Sequence, residues 1–107
     1  MSKNNLSWAL SSLEEVRTNI FLFEEKDPYT MRTCLMLVDL AKNNIIHNEI
    51  NYAKNRIQEL INKIENFCSE YHIRKNDCYV LQLANIVLSK LSLINLCPVL
   101  TSPYSSF

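Results

Sequence analysis

Cys68 and His72 stand four residues apart, and Cys78 follows six residues later. A four-residue interval on a helix sets two side chains on one face, so the pair could offer two zinc ligands. Cys34 or Cys97 would then complete a tetrahedral set. The spacing fits no standard zinc module, however, and Cys68 falls on an apolar stripe. The competing reading is a buried thiol beside a helix-end histidine. His47-Asn48-Glu49 could supply an imidazole and a carboxylate for proton transfer. It lies where a connection between helices needs polar residues, and no nucleophile or second carboxylate cluster accompanies it. Glu14-Glu15 and Glu24-Glu25-Asp27 read as helix-terminal or solvated charge. Gly-x-Ser-x-Gly, His-Glu-x-x-His and phosphate-loop patterns are all missing. The sequence therefore assigns no catalytic residue, metal ligand or cofactor, and the chain is expected not to be an enzyme.

Lys54, Arg56 and Lys63, followed by Arg74 and Lys75, sketch a mildly basic strip with Tyr52 and Tyr71 nearby. Glutamates interleave with it, and eleven basic residues balance eleven acidic ones over the chain. A neutral chain has no general electrostatic reason to seek nucleic acid or anionic lipid, so no nucleic-acid partner is expected.

The elements that must position these residues follow from composition. The chain has 107 residues, 48% of them apolar, and no glycine at all. That length suits one domain with one modest core. Without glycine, tight hairpins, dinucleotide folds and phosphate loops lose the residue they depend on. An all-α fold is expected: a single antiparallel bundle or helical-hairpin array of about four helices with a short irregular C-terminal tail. Thirteen asparagines and ten isoleucines beside four alanines and four arginines point to an AT-rich genome.

The first helix is expected over about residues 6–25, with Leu6, Leu10, Leu13, Ile20 and Phe23 along its seam. Ser11 and Ser12 each precede a glutamate by three residues, so a capping box could start the regular helix there and leave Trp8 on an arm. Asp27-Pro28 marks the clearest boundary, aspartate as N-cap and proline at the first helical position. The second helix is expected over about 28–43, stopping at Asn43-Asn44, since asparagine tolerates the left-handed conformation. A weak break there would fuse it to the third.

Asn48 is the expected cap of a third helix over about 49–72, whose stripe is Ile50, Ala53, Ile57, Leu60, Ile61, Ile64, Phe67, Cys68 and Tyr71. Asp77 is expected to cap a fourth over about 78–96, ended by Cys97-Pro98, with residues 97–107 as the tail. This last helix is apolar almost all round, with one narrow polar strip of Gln82, Asn85, Ser89 and Ser92, and Lys90 as its only charge. Gln82, Asn85, Lys90, Asn95 and Pro98 interrupt every window of the roughly 20 apolar residues a membrane span needs.

Four cysteines without a CxxC pair read as buried hydrophobes in a reducing compartment, with a disulfide framework as the lesser reading. No apolar run follows Lys3, so no secretory signal is expected and a cytoplasmic location is. What stands out is surplus apolar surface on the second and fourth helices, at Phe21-Leu22-Phe23 and in the tail. Such surplus marks an interface. The expected function is non-enzymatic protein–protein interaction, by an adaptor, dedicated chaperone or inhibitor/immunity-type protein. The partner would be a helix or a second copy, held by Leu37, Leu40, Leu83, Ile86, Leu93, Tyr104 and Phe107. The alternative is a small metal-binding or nucleic-acid-binding regulatory protein.

Overall fold

A computed structural model describes residues 6–101, with the side chains of Leu22 and of residues 94–101 outside the description. The described residues form an all-α bundle of four helices: α1 (Ser7–Ile20), α2 (Pro28–Ile46), α3 (Ile50–Glu70) and α4 (Tyr79–Thr101). Short 3₁₀ turns, Phe21–Phe23 and Lys75–Asp77, follow α1 and precede α4. α1 packs against α2 and α4, and α3 packs against the same two. Short connections make successive helices antiparallel, so the chain runs up and down around a single core.

The start of α2 follows from two residues. Asp27 accepts the Thr30 backbone N–H at 3.1 Å and the Thr30 hydroxyl at 2.6 Å, and Pro28 occupies the first helical position. The cap satisfies a backbone donor that would otherwise lack a partner, and proline has no N–H to leave unpaired.

The ends of α2 and α3 show how a glycine-free chain turns. The Asn48 N–H donates to the Ile45 carbonyl at 3.0 Å and the Glu49 N–H to the Asn44 carbonyl at 2.7 Å. At α3 the His72 N–H donates to Ser69 at 3.4 Å and the Ile73 N–H to Cys68 at 2.8 Å. Both are Schellman closures, whose pivot residue must enter the left-handed region. Asn48 does so at φ 61° and His72 at φ 59°.

Several boundaries differ from the sequence reading. α2 runs through Asn43-Asn44 to Ile46, because Ile45 is a core residue and helix must persist to place it. The left-handed asparagine is Asn48, so α2 and α3 are separate helices and Asn48 ends the first of them. α1 starts at Ser7 after Leu6 with no side-chain cap, and Trp8 lies within the helix rather than on an arm. α1 ends at Ile20, and Phe21–Phe23 tighten into a 3₁₀ turn that buries Phe23 and leaves Phe21 exposed. Asp77 closes the turn before α4, while Cys78 holds an extended conformation immediately ahead of the helix. α4 continues past Cys97-Pro98 to Thr101. Proline removes a single hydrogen bond and crowds one preceding turn, which does not by itself end a helix.

The α3 stripe is as expected, with Ala53, Ile57, Leu60, Ile61, Ile64, Phe67 and Cys68 buried. It meets Leu13, Val16 and Ile20 of α1, Val38 and Ala41 of α2, and Val87 and Leu91 of α4 in one core. Phe23 stacks on Phe67 with centroids 4.1 Å apart, and the Tyr71 hydroxyl donates to the Lys26 carbonyl at 2.9 Å. The α1–α2 connection is thereby pinned to the end of α3. No polar or charged residue is buried among the described residues.

Candidate interaction face

The residues whose types suggested chemistry are dispersed or occupied by helix ends. Cys68 is buried with the Cys78 thiol beside it, and burial, reinforced by that neighbour, pushes its pKa up. Cys34 is buried too, and its thiol is pushed up to about 12 by desolvation. His72 is exposed at the left-handed pivot after α3, so the turn carries it off the helical face on which Cys68 lies. Among the described residues no three His, Cys, Asp or Glu side chains gather to hold a metal. His47 Nδ1 lies 2.9 Å from the Asn43 carbonyl, and Glu49 accepts the Asn44 amide at 2.8 Å. Both serve the α2 terminus.

The basic strip does not assemble. Lys54 and Arg56 are two residues apart on α3, which places them about 200° apart around the axis. Lys75 lies 3.9 Å from Glu65. Along the α1–α2 seam the charges are paired, Arg17 with Asp39 at 3.0 Å and Lys42 with Glu14. The outward face of α3 carries Asn51, Asn55, Asn62 and Asn66, all exposed.

α4 is different. Val80, Leu81, Ala84, Val87 and Leu91 fill the core, and Leu83 and Leu88 pack half-buried at its edge. A helix this apolar has hydrophobes left over for its far side. Tyr79 and Ile86 are each 49% exposed and Leu93 is 64% exposed. They recur every seven residues, with Gln82 and Ser89 between them, giving an exposed row at alternating three- and four-residue intervals. The three- and four-residue spacing is that of a heptad, with its apolar members at every second position. Lys90, the one charge on α4, is drawn aside with its ammonium 5.3 Å from the centre of the Trp8 ring. The Tyr79 hydroxyl donates to the Glu15 carboxylate, which anchors the start of the row to α1 and raises the phenol pKa.

The expected partner-binding residues divide accordingly. Ile86 and Leu93 lie on the exposed row of α4, while Leu83 is half-buried against the core. Leu40 lies on the outward side of α2, as do Met36 and Tyr29, which are also exposed. Leu37 is a correction: at 2% exposure it is part of the core. α2 packs against two helices, so its inward arc is wide enough to take in Cys34, Leu37, Val38, Ala41 and Ile45. Tyr104 and Phe107 lie outside the described residues.

Sequence reasoning missed Tyr79 as a member of the face. Its signal was the seven-residue interval to Ile86 and Leu93, masked because Gln82 and Ser89 drew attention as a polar strip. Two apolar depressions lie elsewhere on the described surface. One of about 220 Å³ lies between Phe23, Phe67, Ile73 and Cys78, and one of about 280 Å³ between Leu6, Leu10, Ile45 and Ile46. No described helix is long and apolar enough to cross a membrane. No family model, curated protein or solved structure matches the chain.

Proposed function

We propose that this protein is a non-enzymatic interaction module that binds another protein surface through the outward face of α4. The observation that supports this reading is the exposed row Tyr79, Ile86 and Leu93 on a helix whose single charge is turned toward Trp8. A solvated helix face normally carries charged or amide side chains, as α3 does. Exposed apolar side chains on such a helix are stabilised when another apolar surface covers them, by roughly 25 cal/mol for each Å² removed from water. The matching surface is an amphipathic helix, since a row at three- and four-residue intervals fits the ridge of another helix.

The test compares capture by the wild-type chain with capture by an Ile86→Glu, Leu93→Glu variant, both immobilised and exposed to lysate of the source cell. Both positions face outward, so helix content by circular dichroism should not change. A protein, or a second copy, retained by the wild type and lost by the variant is the expected result. Identical retention by both would remove the reading.

A further inference from the structure

The connection between α3 and α4 brings two cysteines together, one of them in the wall of a surface depression. We propose that Cys68 and Cys78 are a redox pair: a small peroxide entering that depression oxidises Cys78, and Cys68 then closes a disulfide on it. The pair is independent of the exposed row on α4.

The path of the chain sets the two residues side by side. α3 ends at Glu70, the left-handed His72 turns the backbone about, and the Ile73 N–H returns to the Cys68 carbonyl at 2.8 Å. The Lys75–Asp77 turn follows, with the Cys78 N–H donating to the Lys75 carbonyl at 3.1 Å. Cys78 is the one residue between that turn and α4, and its thiol is in hydrogen-bonding contact with that of Cys68. Neighbouring thiols on two segments that already pack together can close a disulfide with little backbone movement.

Access separates their roles. Cys78 lines the depression of about 220 Å³ with Phe23, Phe67 and Ile73, and is 7% exposed. Cys68 is 1% exposed and does not line it, so a reagent meets Cys78 first. The space suits a molecule as small as hydrogen peroxide, whereas glutathione disulfide is far larger. Lys26 stands in the same wall, and its ammonium can donate to the oxygen that leaves. Cys34 is the contrast: it is fully buried on α2 and lines neither depression.

One peroxide completes the chemistry. The Cys78 thiolate attacks a peroxide oxygen, an S–O bond forms and the O–O bond breaks. The departing hydroxide takes up the proton that Cys78 lost on ionising and leaves as water. Burial and the hydrogen bond to Cys78 hold the proton on Cys68 until the second step. There the Cys68 sulfur attacks the Cys78 sulfur, the S–S bond forms, the S–O bond breaks, and the Cys68 proton leaves with the second hydroxide as water. Each sulfur gives up one electron, and the two peroxide oxygens accept them. The product ties the last turn of α3 to the residue before Tyr79.

The test uses the full chain with Cys97→Ser, reduced and then exposed to hydrogen peroxide. Trypsin cuts after Arg74 and Lys75, between the two cysteines, so their peptides stay together only through an S–S bond. The expected product is lighter by two hydrogens, joins the Cys68 and Cys78 peptides, keeps Cys34 free and reverts with dithiothreitol. Cys68→Ser should stop at a sulfenic acid on Cys78, trapped by a cyclic dione, and Cys78→Ser should leave Cys68 unmodified. Circular dichroism checks that both variants keep their helices; should either misfold, the peptide map of the parent chain decides alone. A folded chain that keeps its thiols at a peroxide level that oxidises it in urea overturns the inference. So does a bond to Cys34, or a Cys68 that is oxidised in Cys78→Ser as readily as Cys78 is in Cys68→Ser.

Discussion

His72 holds a left-handed conformation that residues with a Cβ, asparagine apart, rarely adopt. Its N–H and that of Ile73 close α3, so the left-handed pivot is required by hydrogen bonds and the strain persists. Replacing His72 with glycine removes the Cβ clash. We expect His72→Gly to stabilise the fold by about 1 kcal/mol in urea unfolding, and Asn48→Gly by less, because asparagine already tolerates this region. Asp27 and Glu14 act at the same scale. The Thr30 hydroxyl and amide hold the Asp27 pKa below its ordinary value, and the hydrogen bond from the Lys42 ammonium does the same for Glu14. A carboxyl with a lowered folded-state pKa adds stability that is fully present above its unfolded pKa and is lost as pH falls through the folded value. Urea midpoints should therefore hold steady from neutral pH to about 5 and fall below about pH 4. Asp27→Ala should lower the midpoint at pH 7 and flatten part of that acid decline.

At the scale of elements, α3 was legible and α4 was not, for the same reason seen from opposite sides. α3 separates Ile57, Leu60, Ile61 and Ile64 from a face of asparagines and charges, so the sequence alone tells which arc turns inward. Its inward residues should behave as core: Leu60→Ala is expected to cost about 2–5 kcal/mol through the cavity it leaves, while Tyr52→Ala on the exposed side should change stability by about 0.5 kcal/mol or less. Calorimetric melting of the two variants checks the contrast. α4 offers apolar residues on every side, so periodicity could not decide between Val87 in the core and Ile86 in solvent. Only the positions of α1 and α3 decide it. Helix ends show a similar limit. Asn43, Asn44 and Asn48 are equally able to turn left-handed in the sequence, and the choice falls on Asn48 because Ile45 must first reach the core. The Asp27-Pro28 start needed no such context, because cap and proline act through adjacent backbone atoms alone.

Across the whole molecule, α2 and α3 pack against the helices that precede and follow them in the chain. The pairing of α1 with α4 is the exception, and it joins the two ends of the sequence. Helices that pack beside their sequence neighbours lower the mean separation of contacts, which favours fast folding; the closing pair requires the largest loop and forms against the greatest chain entropy. Lys90 against Trp8 and Tyr79 against Glu15 mark that closure. Trp8 is the chain's only tryptophan, so the single strong fluorophore sits at the contact expected to form last. Its emission is a clock for ring closure, while the far-ultraviolet signal times the helices themselves. In rapid-mixing refolding the tryptophan signal should trail the helical one; simultaneous traces would mean that the ring closes as its helices form.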